Sequence, residues 1–135
     1  MKTITIVADD KVGLLADISY VLAKSKINIE SICVEVIAGK AVILMGLTDA
    51  EKGKLVIEAA GYTVENLDAV VIKLKDQTGE VTKITTTLTK EGVDVKKVDI
   101  LAKDKGNSIV AIEVDKHKRA SAILKPYLVS NEIEY

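Results

Sequence analysis

The sequence predicts an α+β protein of two tandem βαββαβ modules, residues 1–67 and 68–135, each with an antiparallel sheet and its helices on one face. Three observations predict it: an internal repeat, short apolar runs that alternate like strands, and intervening runs with helical spacing. At an offset of 66, Asp76 falls on Asp10, Gly79 on Gly13, Ile84 on Ile18, Leu88 on Leu22 and Lys90 on Lys24. The same shift sets Val93-Asp94-Val95 on Ile27-Asn28-Ile29, Ile109 on Ile43 and Asp115 on Asp49, with no insertion between them. The modules join near Asn66 to Asp68.

In the first module, Lys2 to Ala8 alternates through Ile4 and Ile6, as a strand with one buried face does. After a break at Asp9 to Gly13, the residues Leu14, Leu15, Ile18, Val21 and Leu22 recur at helical spacing. Asp9 or Asp10 is placed to cap that helix. Ile27 to Ile37 is rich in β-branched residues, and Gly39-Lys40 turns it into a second run from Ala41 to Leu47. Asp49 caps a helix reaching about Ala60, Gly61 stops it, and Tyr62 to Glu65 makes a short last strand.

The second module repeats the order: strand Ala69 to Lys75, helix Glu80 to Lys90, and strands Val93 to Lys103 and Ser108 to Val114 about the turn Lys105-Gly106-Asn107. A helix from Asp115 to Lys125 ends at Pro126, and Tyr127 to Ile133 supplies the closing strand. Two right-handed β-α-β crossovers per module give a ferredoxin-like, four-stranded antiparallel sheet. Its second face needs cover, so the modules pair and a homodimer is expected.

Composition narrows the function. Apolar residues are 48% of the chain, enough for an aliphatic core. Nineteen basic side chains against twenty acidic leave a charge of -1, and the aromatic complement is four Tyr with no Phe or Trp. A nucleic-acid partner is therefore not expected. No window approaches a membrane-spanning run, so no membrane partner is expected. Cys33, the single cysteine, rules out an internal disulfide and points to a reducing, cytoplasmic compartment, with the thiol buried for structure.

Side chains for catalysis are sparse. His117, the one histidine, lies in a charged helix start and reads as a solvated side chain. One Cys and one His far apart make no metal set, so neither metal nor cofactor is expected. Thr85, Thr86, Thr87 and Thr89 tile a helix face. Gly39-Lys40 and Gly53-Lys54 lack the upstream glycine of a phosphate loop. The chain is read as a non-enzyme.

The candidate site is Asp10, Lys11, Val12, Gly13, Leu14 and Leu15, with Asn28 and Ile29. A strand-to-helix break ending in glycine leaves backbone N–H groups at the positive end of a helix, where a small carboxylate fits. Gly13 either admits a ligand or simply makes a tight turn. Alternation gives Asn28 the face opposite Ile27 and Ile29, and its amide can donate to a carboxylate and accept from an ammonium. That pairing matches an amino acid.

The run Asp10-Lys-Val-Gly-Leu-Leu-Ala-Asp-Ile18, with Leu22 and Ile27-Asn28-Ile29, resembles the ACT domain family, and a weaker version recurs from Ala69 to Tyr135. The resemblance implies regulatory modules that pair side by side and hold an amino acid at their interface, through the loop residues Asp10 to Leu15 and the strand residues Asn28 and Ile29. The second copy departs from the pattern: Asp94 replaces Asn28 and Glu80 replaces Leu14. It is expected to complete the fold while the first module binds. The leading reading is a stand-alone amino-acid sensor that acts on a regulated enzyme partner. The alternative is a ligand-independent regulatory subunit or assembly module of an amino-acid biosynthetic enzyme.

Overall fold

The computed structural model describes residues 3–67, 69–76 and 78–129. The chain divides into two compact units, Met1–Leu67 and Asp68–Ile133.

The first unit runs β1 (Thr3–Asp9), α1 (Leu14–Lys24), β2 (Ile29–Ile37), β3 (Lys40–Leu47), α2 (Ala50–Ala59) and β4 (Thr63–Val64). Its antiparallel sheet has the order β2-β3-β1-β4, the ferredoxin-like arrangement. Alternation sets the faces: Ile4 and Ile6 stand opposite Met45 and Ile43 and pack with Leu14, Ile18 and Leu22 of α1 and Ala50 and Ile57 of α2. Each large aliphatic side chain so buried contributes about 1.5–3 kcal/mol of transfer free energy. Asp49 caps α2 by accepting the Lys52 N–H at 3.1 Å. Gly53 lies buried against Leu47 in α2, and Lys54 pairs with Glu58 at 3.1 Å, so this pair is a helix feature.

Two details differ from the sequence reading of this unit. The α1 N-cap is Gly13, with no side-chain cap: Asp9 and Asp10 both lie upstream of the cap position, and Asp9 pairs with Lys40. The hairpin turn is Ala38-Gly39, with φ of 51° and 78°, and Lys40 already belongs to β3. Two positive φ angles in a two-residue loop match the twist of the flanking strands.

The second unit comprises β5 (Ala69–Lys75), α3 (Glu80–Lys90), β6 (Val95–Lys103), β7 (Asn107–Val114) and α4 (His117–Ile123), followed by a 3-10 turn at Lys125–Tyr127. Its described sheet has the order β5-β7-β6. Val70, Ile72, Ile84, Leu88, Val110, Ile112 and Leu124 fill its core. Of the expected closing strand, Tyr127 belongs to the 3-10 turn, Leu128 bridges Ile72, and the Val129 N–H donates to the Val71 carbonyl at 3.3 Å. Residues 130–133 of that strand lie outside the described residues.

The uninterrupted offset does not survive in space. Ile29 pairs with Leu47 and Val95 with Val114, so the shift is 66 in β2/β6 and 67 in β3/β7. The extra residue is Leu101, at a bulge between Ile100 and Ala102 that β2 does not have. Ile109 therefore answers to Val42 rather than Ile43. Asp115 answers to Thr48 rather than to the cap residue Asp49: its carboxylate accepts the Asp94 N–H at 2.9 Å, as the Thr48 hydroxyl accepts the Asn28 N–H at 3.1 Å. At this shift α4 starts at His117, where α2 starts at Ala50, but its N-cap is Lys116, with no side-chain cap, in place of Asp49.

Candidate functional site

At the C-terminal end of β1 the backbone is pinned on both sides. The Asp10 N–H donates to the Gly39 carbonyl at 2.9 Å and the Lys40 ammonium donates to the Asp9 carboxylate at 2.6 Å. That contact, with the charge of Lys40, holds the exposed Asp9 carboxyl below its ordinary range, and Lys11 adds in the same direction. The chain then passes through the exposed residues Asp10, Lys11 and Val12 to Gly13, whose φ is 86°. A side chain at that φ is strained, so glycine suits the position.

The Leu14 N–H donates to the Lys11 carbonyl at 3.2 Å and the Asp17 N–H to the Gly13 carbonyl at 2.9 Å. Leu15 and Ala16 are thus the first-turn N–H groups without an intrahelical acceptor, at the positive end of α1. Val12 is fully exposed and Leu15 is exposed, whereas Leu14, named in the sequence as a site residue, points into the core. Only its backbone belongs to the loop.

Asn28 and Ile29 lie elsewhere. Asn28 is exposed, its backbone clamped to Thr48 in both directions, at 3.1 Å each, and Ile29 packs against the core. Ile27 is buried and Asn28 is not, as alternation requires. The loop and Asn28 occupy opposite ends of the unit. Asp9 pairs with Lys40 at one end of β3 and Ile29 with Leu47 at the other, seven residue steps apart. At about 3.3 Å per residue that is roughly 23 Å. The eleven residues of α1 span about 16 Å along the other route. No single first unit brings Gly13 and Asn28 to one small ligand.

Beside the loop lies a cavity of about 290 Å³ lined by Val7, Ala8, Asp9, Lys11, Lys40, Gly61, Tyr62 and Thr63. Of the candidate residues, only Lys11 lines it. The Tyr62 hydroxyl donates to the Asp17 carboxylate, and that contact pushes the phenol above its ordinary value of 10.0. Reading along the chain missed Asp9, Lys40 and Tyr62, which line this cavity together, because their side-chain contacts, Lys40 to Asp9 and Tyr62 to Asp17, join residues 31 and 45 positions apart.

In the second unit Gly79 repeats the left-handed N-cap of α3, with φ 89° and no side-chain cap. Both helices carry an acid in the first turn, Asp17 in α1 and Glu80 in α3, but Glu80 stands at the first helical position, where α1 has Leu14, and Asp94 stands where the first unit has Asn28. His117 is exposed, and the hydroxyls of Thr85, Thr87 and Thr89 donate to their own helix carbonyls at 3.1, 2.8 and 2.8 Å. Cys33 is half-buried rather than buried, because β2 is a sheet edge. Among the described residues no cluster of three or more His, Cys, Asp or Glu could hold a metal ion, and no helix is long and apolar enough to cross a membrane.

No protein-family model matches the chain, and no curated protein matches it. Solved structures do. A protein of Bacteroides thetaiotaomicron is 24% identical over 93% of this chain and 86% of its own, with a TM-score of 0.49. An unknown protein of Galdieria sulphuraria is 16% identical over 92% and 88%, with a TM-score of 0.43. The ligand-free regulatory subunit of aspartate kinase from Thermus thermophilus is 14% identical over 91% and 87%, with a TM-score of 0.44.

Proposed function

We propose that the chain is a regulatory protein, not an enzyme, whose first module binds a small amino acid at an interface between modules. The carrying observation is the contrast between its two first-unit helices. Asp49 closes the N-terminus of α2, whereas α1 opens at a left-handed glycine with no side-chain cap, beside an exposed Lys11. A ligand carboxylate satisfies the Leu15 and Ala16 amides there. An exposed Asn28 from a neighbouring module accepts from the ammonium group, since the two ends of one unit lie too far apart to share a ligand. The second module is the poorer binder, because Glu80 and Asp94 both repel a carboxylate.

Such a ligand acts by preferring one assembly, and it biases that assembly only by the difference in its affinity for the two states. Isothermal titration calorimetry of the full chain against the twenty amino acids tests this. One or a few bind, and Asn28→Ala weakens binding about tenfold or more, the loss expected when a polar contact to a charged group goes. No heat with any of them, or equal binding by Asn28→Ala, contradicts it.

One observation favours a second reading, a ligand-independent regulatory subunit or assembly module. Ile32, Val34 and Val36 stand exposed on one strand, as a protein-binding surface does. That reading predicts an assembly indifferent to amino acids and to Asn28→Ala.

A further inference from the structure

The cavity at the end of β1 shares only Lys11 with the amino-acid site, and its charged wall is not one that the fold requires. The second unit holds its first strand to its hairpin in the same way: the Asp76 N–H donates to the Gly106 carbonyl at 3.1 Å, as the Asp10 N–H does to the Gly39 carbonyl at 2.9 Å. Yet where β1 sets Asp9 opposite Lys40, β5 sets Lys75 opposite Asn107. The ion pair therefore belongs to this cavity and is no demand of the hairpin. The space opens because β4 is short. It pairs with β1 at Ile6 and Val7, and the chain before it turns away through Gly61, with φ 97°, so among the described residues Ala8 and Asp9 have no strand partner on that side.

Charge selects the ligand. Asp9 and Lys40 pair at 2.6 Å and cancel, while Lys11 adds a positive charge with no ion pair among the described residues. Two lysines against one carboxylate leave the lining with a surplus of one positive charge. The nearby Asp17 carboxylate is also committed, to the Tyr62 hydroxyl, whose oxygen can still accept a hydrogen bond. We infer that this cavity binds a small 2-hydroxy acid, its carboxylate on Lys11 and its hydroxyl donating to the Tyr62 oxygen. A volume of about 290 Å³ is at the small end of ligand cavities, which suits a molecule of few atoms. A phosphate group, with a charge of about −1.5 to −2, exceeds the surplus and meets the Asp9 carboxylate. An amino acid brings an ammonium group that Lys11 and Lys40 repel and for which neither carboxylate is free. The cavity is thus a second site, and it stands or falls apart from the amino-acid proposal.

A ¹⁵N–¹H NMR titration of the full chain with lactate, pyruvate, glycine and inorganic phosphate, each alone, tests this. Lactate shifts the amides of Ala8, Asp9, Lys11, Tyr62 and Thr63 with a dissociation constant of about 1 mM. Pyruvate, which has no hydroxyl to donate, binds several-fold more weakly, and glycine and phosphate leave these amides unmoved. Lys40→Gln uncovers Asp9, abolishes the surplus charge and weakens lactate about fivefold. Asp9→Asn together with Lys40→Gln restores the surplus and the binding, which also shows that the single variant failed by charge and not by misfolding. No shift with lactate, lactate shifts at Leu15 and Ala16 instead, any of the other three probes binding at the cavity as well as lactate, or a double variant no better than Lys40→Gln overturns the inference.

Discussion

Lys26 and Gly92 occupy the same place at the ends of α1 and α3, and both adopt a left-handed φ, 59° and 78°. Each ends its helix in the same double hydrogen bond: Lys26 N–H to Ala23 and Ile27 N–H to Leu22 in the first, Gly92 N–H to Thr89 and Val93 N–H to Leu88 in the second. Glycine takes that φ freely, whereas a residue with a Cβ is strained by roughly 1–2 kcal/mol. Lys26→Gly is therefore expected to stabilise the chain by about 1 kcal/mol in urea unfolding, allowing for the entropy that glycine adds to the unfolded state. A loss of stability contradicts that. At this scale the sequence was legible where burial follows alternation, as with Ile4, Ile6 and Asn28. It misled at Leu14, whose place one residue after Gly13 resembles a site position while its side chain serves the core.

Elements were legible to within a few residues where periodicity ran long: β5 and α3 have the bounds read from the sequence. The slip at Leu101 was not, because a bulge adds one residue without disturbing the apolar alternation on either side. Its consequence is a different role for Asp115. The second hairpin has its own device. The Asp104 carboxylate accepts the N–H groups of Gly106 and Asn107, both at 2.8 Å, and these contacts hold its pKa below the ordinary 3.8. A carboxyl with a lowered folded pKa stabilises the fold above about pH 3.8, and that contribution is lost as pH falls through the folded value. Asp104→Asn is expected to flatten the acid side of the stability profile while leaving its shape above neutrality unchanged. Urea unfolding between pH 2 and 7 measures this, and an unaltered acid limb contradicts it.

For the whole molecule, the repeat in the sequence foretold the βαββα order found in both units, and the complete βαββαβ sheet in the first. It could not foretell the distance between the two halves of the candidate site. Adjacent motifs in sequence, Gly13 and Asn28, are separated by a full helix and by the length of β3, so a joint role requires two modules. The cluster of Asp9, Lys40 and Tyr62 was hidden for the converse reason, since folding joins what the chain separates. The proposed site turns on two features of the first unit, the open N-terminus of α1 and the exposed Asn28. A two-dimensional ¹⁵N–¹H NMR titration of the full chain with an amino acid that binds in calorimetry locates the ligand. With the proposed site occupied, the Leu15 and Ala16 amides and the Asn28 side-chain amide shift together along one binding curve, while the Glu80 and Asp94 signals do not; shifts confined to the residues around Tyr62, with Leu15, Ala16 and Asn28 unmoved, rule that site out.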